Sequence, residues 1–367
     1  MKILAIDIGT GTQDILLFDT QIEIENCLHM IMPSPTVLVA QKIRAATARG
    51  DDVLLTGTIM GGGPSQWAAE DHVRAGHRVF ATARAAKSFN DEIAHVEKMG
   101  IRVIGDNEAA RMQNATRVEL RDVNLSAIEN SFAAFGVKLE YDALAIAVFD
   151  HGDAPPGYSD RLFRFDFLAE RLRTFNSPAA FAFRRDEIPP RLTRMRAVAD
   201  NLGGNEPLIV MDTAPAAALG ALEDARVRAQ RTALIANIGN FHTLAFRYDD
   251  GMITGVFEHH TGELKQAQLE NFLAQLADST LTHDAIFNSQ GHGALLLDAR
   301  PIALDFLAVV GPRRGLLLNS RLHPYFATPY GDMMLAGCFG LVRAYAELHE
   351  NARAEIEQAL EKAKEIV

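Results

Sequence analysis

The chain is short of the residues that mark several common kinds of protein. Among 367 residues there are two cysteines, Cys27 and Cys338, far apart in sequence. Two thiols cannot by themselves supply a disulfide framework, a cysteine zinc site or an iron–sulfur cluster. Reduced cytosolic thiols, buried as small apolar side chains, are the simplest account of them. Basic residues are outnumbered, 36 Lys and Arg against 47 Asp and Glu, for a formal charge of −11. A nucleic-acid binder normally carries a basic excess or face, so that class is set aside. No uninterrupted apolar run reaches the ~20 residues that cross a bilayer. The opening residues, one lysine and then a strand-like run broken by Asp7, do not read as a signal peptide. The expectation is a soluble, cytoplasmic protein with neither membrane nor nucleic acid among its partners.

What is present has ordinary globular proportions, 48 % hydrophobic and 23 % charged. The length suits about two domains. The most informative stretch is the first. Residues 2–6 and 15–18 read as two apolar strands joined by Asp7-Ile8-Gly9-Thr10-Gly11-Thr12-Gln13-Asp14. Two glycines let the backbone turn sharply and leave N–H groups bare for an anion. The threonines add hydroxyls, and Asp7 offers a carboxylate to a hard cation. Phosphate with Mg²⁺ fits this chemistry, and a plain glycine hairpin fits the spacing equally. It is neither a P-loop nor GxGxxG opening a helix.

Further along, residues 26–32 suggest a third strand closed by Pro33-Ser34-Pro35, and residues 36–49 a helix. Residues 52–58 form a β-rich run leading into Gly61-Gly62-Gly63-Pro64, with a helix over 66–75. Glycines ahead of a proline-started helix make a second candidate anion nest or a tight crossover turn. Short apolar runs at 77–81 and 101–104 flank a helical segment at 85–98. Alternation of this kind points to an α/β sheet. Residues 141–149 are almost wholly apolar, as in a strand covered on both faces. They end at Asp150, where ligands gather in open α/β sheets. The arginines at 184, 185, 191, 194 and 196 read as a solvated helical face, with an anionic partner as the other reading. Residues 201–205, Asn-Leu-Gly-Gly-Asn, suggest a boundary between lobes.

The second half restarts with a strand at 207–211, then Asp212-Thr213-Ala214-Pro215 and an alanine-rich helix, with Asp212 or Thr213 as its cap. Residues 233–248 repeat the opening pattern, two apolar strands around Asn237-Ile238-Gly239-Asn240-Phe241-His242-Thr243. Two related loops, one in each half, suggest a duplicated fold with a cleft between lobes. A strand at 306–310 precedes Gly311-Pro312-Arg313-Arg314-Gly315, and Gly337 and Gly340 would let the helix after Asp332 pack closely. Residues 351–367 read as a charged terminal helix.

In this order the segments resemble the actin, sugar-kinase and heat-shock chaperone ATPase superfamily. Residues 7–12 are similar to its first phosphate motif, 211–218 to the segment before the second, and 237–243 to the second phosphate loop. Residues 310–315 are similar to its adenosine loop, and the helix from Asp332 to its final connecting helix. More narrowly, the chain resembles a prokaryotic family labelled pyruvate formate-lyase activating-like. Radical activators of that type need CxxxCxxC, which two distant cysteines do not provide. The superfamily resemblance implies an α/β, two-lobed, duplicated ribonuclease H-like fold with ATP and Mg²⁺ in a central interlobe cleft. The lobes would span 1–204 and 205–345, followed by a C-terminal helix at 346–367. By carry-over, Asp7 would hold Mg²⁺ through water while Gly9, Thr10, Gly11 and Thr12 cradle the outer phosphates. Asp212 would hold the ion or orient the attacking group. Asn237, Gly239, Asn240 and Thr243 would close on the phosphates from the other lobe, and Gly311 would lie against the adenosine. Asp150, by its strand-end position, is the candidate base. Asn237 stands where the superfamily generally has an acid, and Phe241 makes the second loop bulkier.

Three readings follow. One is an ATP-dependent phosphotransferase or ATPase, acting on an unidentified small molecule or protein. Another is a nucleotide-sensing, partner-activating protein with little turnover. The third is a metal-dependent enzyme using His151, Asp153, Glu258, His259, His260 and His292. Adjacent His259 and His260 on a strand would face opposite sides, so only one of them can join a given site.

Overall fold

The computed structural model describes residues 1–362. Chain order builds three sheets. Strands β1 (Lys2–Ile8), β2 (Thr12–Asp19) and β3 (Leu28–Pro33) form an antiparallel meander. Then β4 (Asp52–Gly57), β5 (Val79–Thr82), β6 (Ile101–Ile104) and β7 (Ala115–Leu120) make a separate, all-parallel sheet in the order β6-β5-β4-β7. Strands β8 (Ala143–Val148), β9 (Ala182–Arg184) and β10 (Leu208–Asp212) return to the first sheet, whose order is β3-β2-β1-β8-β10-β9. The last sheet holds β11 (Thr232–Ile238), β12 (His242–Asp249), β13 (Met252–His260), β14 (Gly293–Leu296), β15 (Leu307–Val310) and β16 (Tyr325–Phe326). Its order is β14-β13-β12-β11-β15-β16.

The first and last sheets share one plan. In each, a three-stranded antiparallel meander is extended from its first strand by two parallel strands, β8 and β10 in one and β15 and β16 in the other. This is a duplicated, ribonuclease H-like α/β architecture with two lobes. Central strands are covered on both faces, so β8 reads Ala-Leu-Ala-Ile-Ala-Val and every residue is buried. Among the described residues no helix is long and apolar enough to cross a membrane.

Two expectations about boundaries change. Strand β10 was expected to open the second lobe, with the break at 204, yet it pairs with β8 and completes the first sheet. The crossover between lobes is therefore the helix Thr213–Ala221, capped by the Asp212 carboxylate, which accepts from Ala214 N at 3.2 Å. The helices Ala336–Leu348 and Glu350–Lys362 also pack on the first lobe's core, against Ile3, Ala5 and Ala143. The last part of the expected terminal helix, 363–367, lies outside the described residues. Residues 34–123 form an insertion with a core of its own, built on Val39, Ile43, Val53, Leu55 and Ala81. The single helix expected at 85–98 is two short ones, Ala83–Ala86 and Ile93–Lys98.

The crossover helix and the helix Ala336–Leu348 cross with their backbones in contact. A Cβ on Gly220 would fall 1.7 Å from the Ala336 carbonyl oxygen, and one on Gly340 would fall 1.9 Å from that of Ala216. Backbone, unlike a side-chain tip, cannot step aside. Gly340→Ala is expected to cost at least the upper end of the roughly 1–3 kcal/mol of core overpacking. Urea unfolding at unchanged m-value would show it; an unaltered midpoint would mean the helices can separate.

Candidate functional site: an interlobe cleft

The two hairpin loops are built alike. Ile8 pairs with Gln13 and Ile238 with Thr243 at the last rungs of their ladders. Between them, Gly9 N donates to Thr12 O and Gly239 N to His242 O, each at 2.9 Å. The duplication thus aligns Asp7 with Asn237, Gly9 with Gly239, Thr10 with Asn240, Gly11 with Phe241 and Thr12 with His242. The loops meet across the interlobe cleft: a Cβ on Gly11 would lie 3.0 Å from Asn240 Nδ2. Asp7, Gly9, Thr10 and Thr12 from one lobe, and Asn237, Gly239, Asn240 and Gly311 from the other, line one cavity of about 130 Å³.

That volume is well under the roughly 300–1,000 Å³ of an ordinary small-molecule pocket. The loops stand in contact, so a whole nucleotide enters only if the lobes part. Phe241 at the tip of the second loop adds to the closure. It rests on Trp67 of the insertion at 5.5 Å between ring centroids and fills the space a Cβ on Gly63 would need. The triple glycine is therefore a notch for neighbours, with Gly61 giving room to Arg194 and Gly63, at φ +66°, to Phe241. The insertion also grips the first loop, where the Ser34 hydroxyl donates to Thr10 O at 2.6 Å and Ser34 N to Gly11 O at 3.1 Å.

Carboxylates form the cavity floor. Asp7, next to last in β1, pairs directly opposite Asp14, the third residue of β2. The Thr213 hydroxyl donates to Asp7 Oδ1 at 2.6 Å, whereas Asp14 Oδ1 is buried without a partner. Burial, only partly answered by Thr213, pushes the Asp7 carboxyl up to about 7. Burial and then the Asp7 charge push Asp14 up to about 8. Gly337 is required here in its own right, because a Cβ would sit 1.9 Å from Asp7 Oδ2. Two adjoining acids reluctant to ionise suit either shared protons or a cation held by oxygen.

Other expected site residues lie elsewhere. Thr243 is fully buried and bonded to the Thr261 hydroxyl at 2.9 Å, because strand alternation turns it away from the face that His242 presents. Asp150 is buried, its two oxygens accepting from Gly152 N and Met195 N at 2.9 Å each. It borders a larger outer groove of about 1180 Å³. Asp212 is buried beside Arg164 and does not line the cleft. Arg164 donates to both Asp212 and Glu258 (2.9 and 3.1 Å to the latter) and to Asp150 O at 3.1 Å. Burial opposes its charge, but these carboxylates outweigh burial and hold the guanidinium well above its usual range.

The arginine stretch is not simply a solvated face. Arg194 lines the cleft, paired bidentately with buried Asp122 at 2.8 Å and donating to Phe149 O at 2.7 Å. Of the residues that build the site, Asp14 and Arg164 were missed, while Arg194 and Glu258 were named only for the anionic-partner and metal-dependent readings. Only Asp14 carried a local signal, its place in the first loop.

Both cysteines are buried in the first lobe's core, Cys338 against the Ala5 and Asp14 carbonyls, where they pack as small apolar groups. No curated protein matches the chain. Among solved structures it is similar to the inorganic polyphosphate/ATP-glucomannokinase of Arthrobacter sp. strain KM, at 12 % identity and TM-score 0.36, over 95 % of this chain and 99 % of that one. It is similar to the ethanolamine utilization protein EutJ of Carboxydothermus hydrogenoformans, at 12 % identity and TM-score 0.31, over 93 % and 89 %. A ROK family transcriptional regulator, described as a homolog of the E. coli MLC protein, matches at 11 % identity and TM-score 0.27 over 69 % of this chain; the chain spans 37 % of that regulator's length. The model of the family described as "Putative pyruvate format-lyase activating enzyme (DUF1786)" matches residues 60–316, well over half of the chain, and the chain belongs to that family.

Proposed function

We propose that the interlobe cleft binds ATP or ADP with Mg²⁺, and that the protein is a Mg-dependent phosphotransferase or ATPase acting on a small molecule or a protein. One observation carries this reading: two like-built glycine hairpins, one from each lobe, converge on the acids Asp7 and Asp14. The unpartnered Asp14 oxygen and the raised proton affinity of both acids suit a hard cation. Glycine turns and threonine hydroxyls suit phosphate oxygens. Bound magnesium would neutralise charge on a transferring phosphoryl group. The protein's own part is positional. Thr213 orients Asp7, and Thr10, Gly11, Thr12, Gly239 and Asn240 would enclose the polyphosphate from both sides. Gly311, at φ +99°, would give flat backbone to the adenosine. Closing the lobes would exclude water and align an acceptor lying in the outer groove.

A second reading, nucleotide sensing with little turnover, is favoured by the state of the other acids. Asp150 has both oxygens on backbone N–H groups, Asp212 is ion-paired, and Asn237 puts an amide where the first loop has Asp7. No carboxylate of the second lobe lines the cleft among the described residues, so a base there would have to be freed first.

Millimolar ATP or ADP with Mg²⁺ should raise the melting temperature, by the equivalent of about 2.7 kcal/mol at a hundredfold excess over Kd. Asp7→Ala and Gly11→Val should both shrink that shift, the valine by holding Asn240 away. A wild-type protein indifferent to millimolar nucleotide would end the proposal. ADP binding with negligible phosphate release would select the sensing reading.

Titration supplies a separate check. Asp7 and Asp14 bind protons more tightly folded than unfolded, so this contribution to stability is greatest below pH 4 and is lost as pH rises toward 8. In chelator-treated buffer the urea midpoint should therefore fall between pH 5 and 8. Asp14→Asn should flatten the decline and be the more stable protein at pH 8. A wild-type midpoint that rises over that range would contradict the burial of two interacting acids.

A further inference from the structure

Four histidines from four separate segments meet where the cleft opens into the outer groove. His151 follows β8, His242 opens β12, His260 closes β13 and His292 precedes β14. One ring nitrogen from each lies within 4.8 Å of all the others. Ring centroids are 4.6 Å apart for His260 and His292, 5.1 Å for His242 and His260, and 5.2 Å for His242 and His292. His259, on the other face of β13, bonds instead to the Ser289 hydroxyl.

Polar bookkeeping sets this cluster apart. His242 Nε2 and both nitrogens of His292 are buried with no hydrogen bond, three of the six such side-chain atoms among the described residues. A buried donor or acceptor left unmade is costly, so three at one point call for a missing partner. Neutral imidazole is the form that ligates metals, through a ring nitrogen with a free lone pair. Arg164, the buried cation beside the cluster, is itself held by two carboxylates, Asp212 and Glu258. Glu258 Oε2 lies 3.6 Å from His292 Nδ1, the outer position from which a carboxylate orients a metal-bound imidazole.

We propose that His242, His260 and His292, with His151 reaching over from the first lobe, bind one divalent transition-metal ion of the zinc class. Metal–nitrogen bonds of 2.0–2.1 Å put tetrahedral donors about 3.3 Å apart, so nitrogens now within 4.8 Å of one another need close by at most about 1.5 Å. An all-imidazole donor set suits Zn²⁺, Cu²⁺, Ni²⁺ or Fe²⁺ rather than Mg²⁺. The site is thus chemically distinct from Asp7 and Asp14. His151 is exposed toward the groove, so a ligand in the groove can reach the ion on that side. The ion would join the two lobes at the cleft mouth through His151. This inference does not depend on nucleotide binding.

Tag-free protein, stripped with chelator and free of nucleotide and Mg²⁺, would be titrated with Zn²⁺ by calorimetry and with Co²⁺ by visible absorption. One ion per chain is expected, with cobalt bands characteristic of nitrogen coordination. The rim variant His260→Ala should lose more affinity than the roughly 10–100-fold that follows loss of an outer partner. The double variant His242→Ala/His260→Ala should lose the site while still melting cooperatively, and Asp14→Asn should bind Zn²⁺ as the wild type does. Equal binding by the wild type and the double variant, or loss in Asp14→Asn alone, would overturn the assignment. Zinc binding without any nucleotide response would uphold this site and remove only the nucleotide reading.

Discussion

The arrangement of the cleft depends on one buried cation. Arg164 projects from the helix Asp160–Thr174 and is 3 % exposed. It reaches the carbonyl at the end of β8, the carboxylate at the end of β10 and Glu258 on β13. Two of these belong to the first sheet and the third to the second, so a single guanidinium fixes both lobes at the strand ends where the cleft begins. Its face lies over the Phe149 ring at 4.2 Å, and Phe149 in turn stacks on His242 at 3.8 Å. Removing one member of such a buried set typically costs about 3–5 kcal/mol, because the remaining charges are left unpaired. The hinge is therefore stiff at its base. When the lobes part to admit a ligand they pivot about this base and open widest at the loop tips and the insertion.

Duplication made the two hairpins, and divergence has separated their chemistry. The first keeps an acid at Asp7 and gains a second at Asp14, while the second presents Asn237 and His242 at the corresponding side of its strands. Hard oxygen donors are thereby confined to one lobe and imidazole nitrogens mostly to the other. The two loops thus share a backbone turn and differ in the side chains they present.

Much of this was legible in the sequence wherever the signal was local. The two loops showed as glycines between apolar strands, and the near-total burial of β8 followed from its unbroken apolar run. Gly340 was read as a packing glycine, and it does meet Ala216 at a helix crossing. Failures came where long-range pairing decides. Strand β10 looks like the start of a new lobe because Gly203 and Gly204 precede it, yet hydrogen bonds to β8 place it in the first sheet. The insertion was hidden because its strands alternate with helices like those of any α/β sheet. Arg164 and Arg194 resemble surface arginines in composition; only folding brings Glu258 and Asp122 to them. His242 was noticed as part of a loop, but its role beside His260 and His292 is set by strands that pair across intervening segments.

The contact between Trp67 and Phe241 has a practical side. This is the only tryptophan in the chain, it is half-exposed, and it leans on the tip of the second hairpin from the helix Pro64–Arg74 of the insertion. Indole emission depends on how wet its surroundings are, and here drying or wetting follows the distance between two bodies. The molecule thus carries a native optical gauge of its own opening, with no second fluorophore of the same kind to blur the reading.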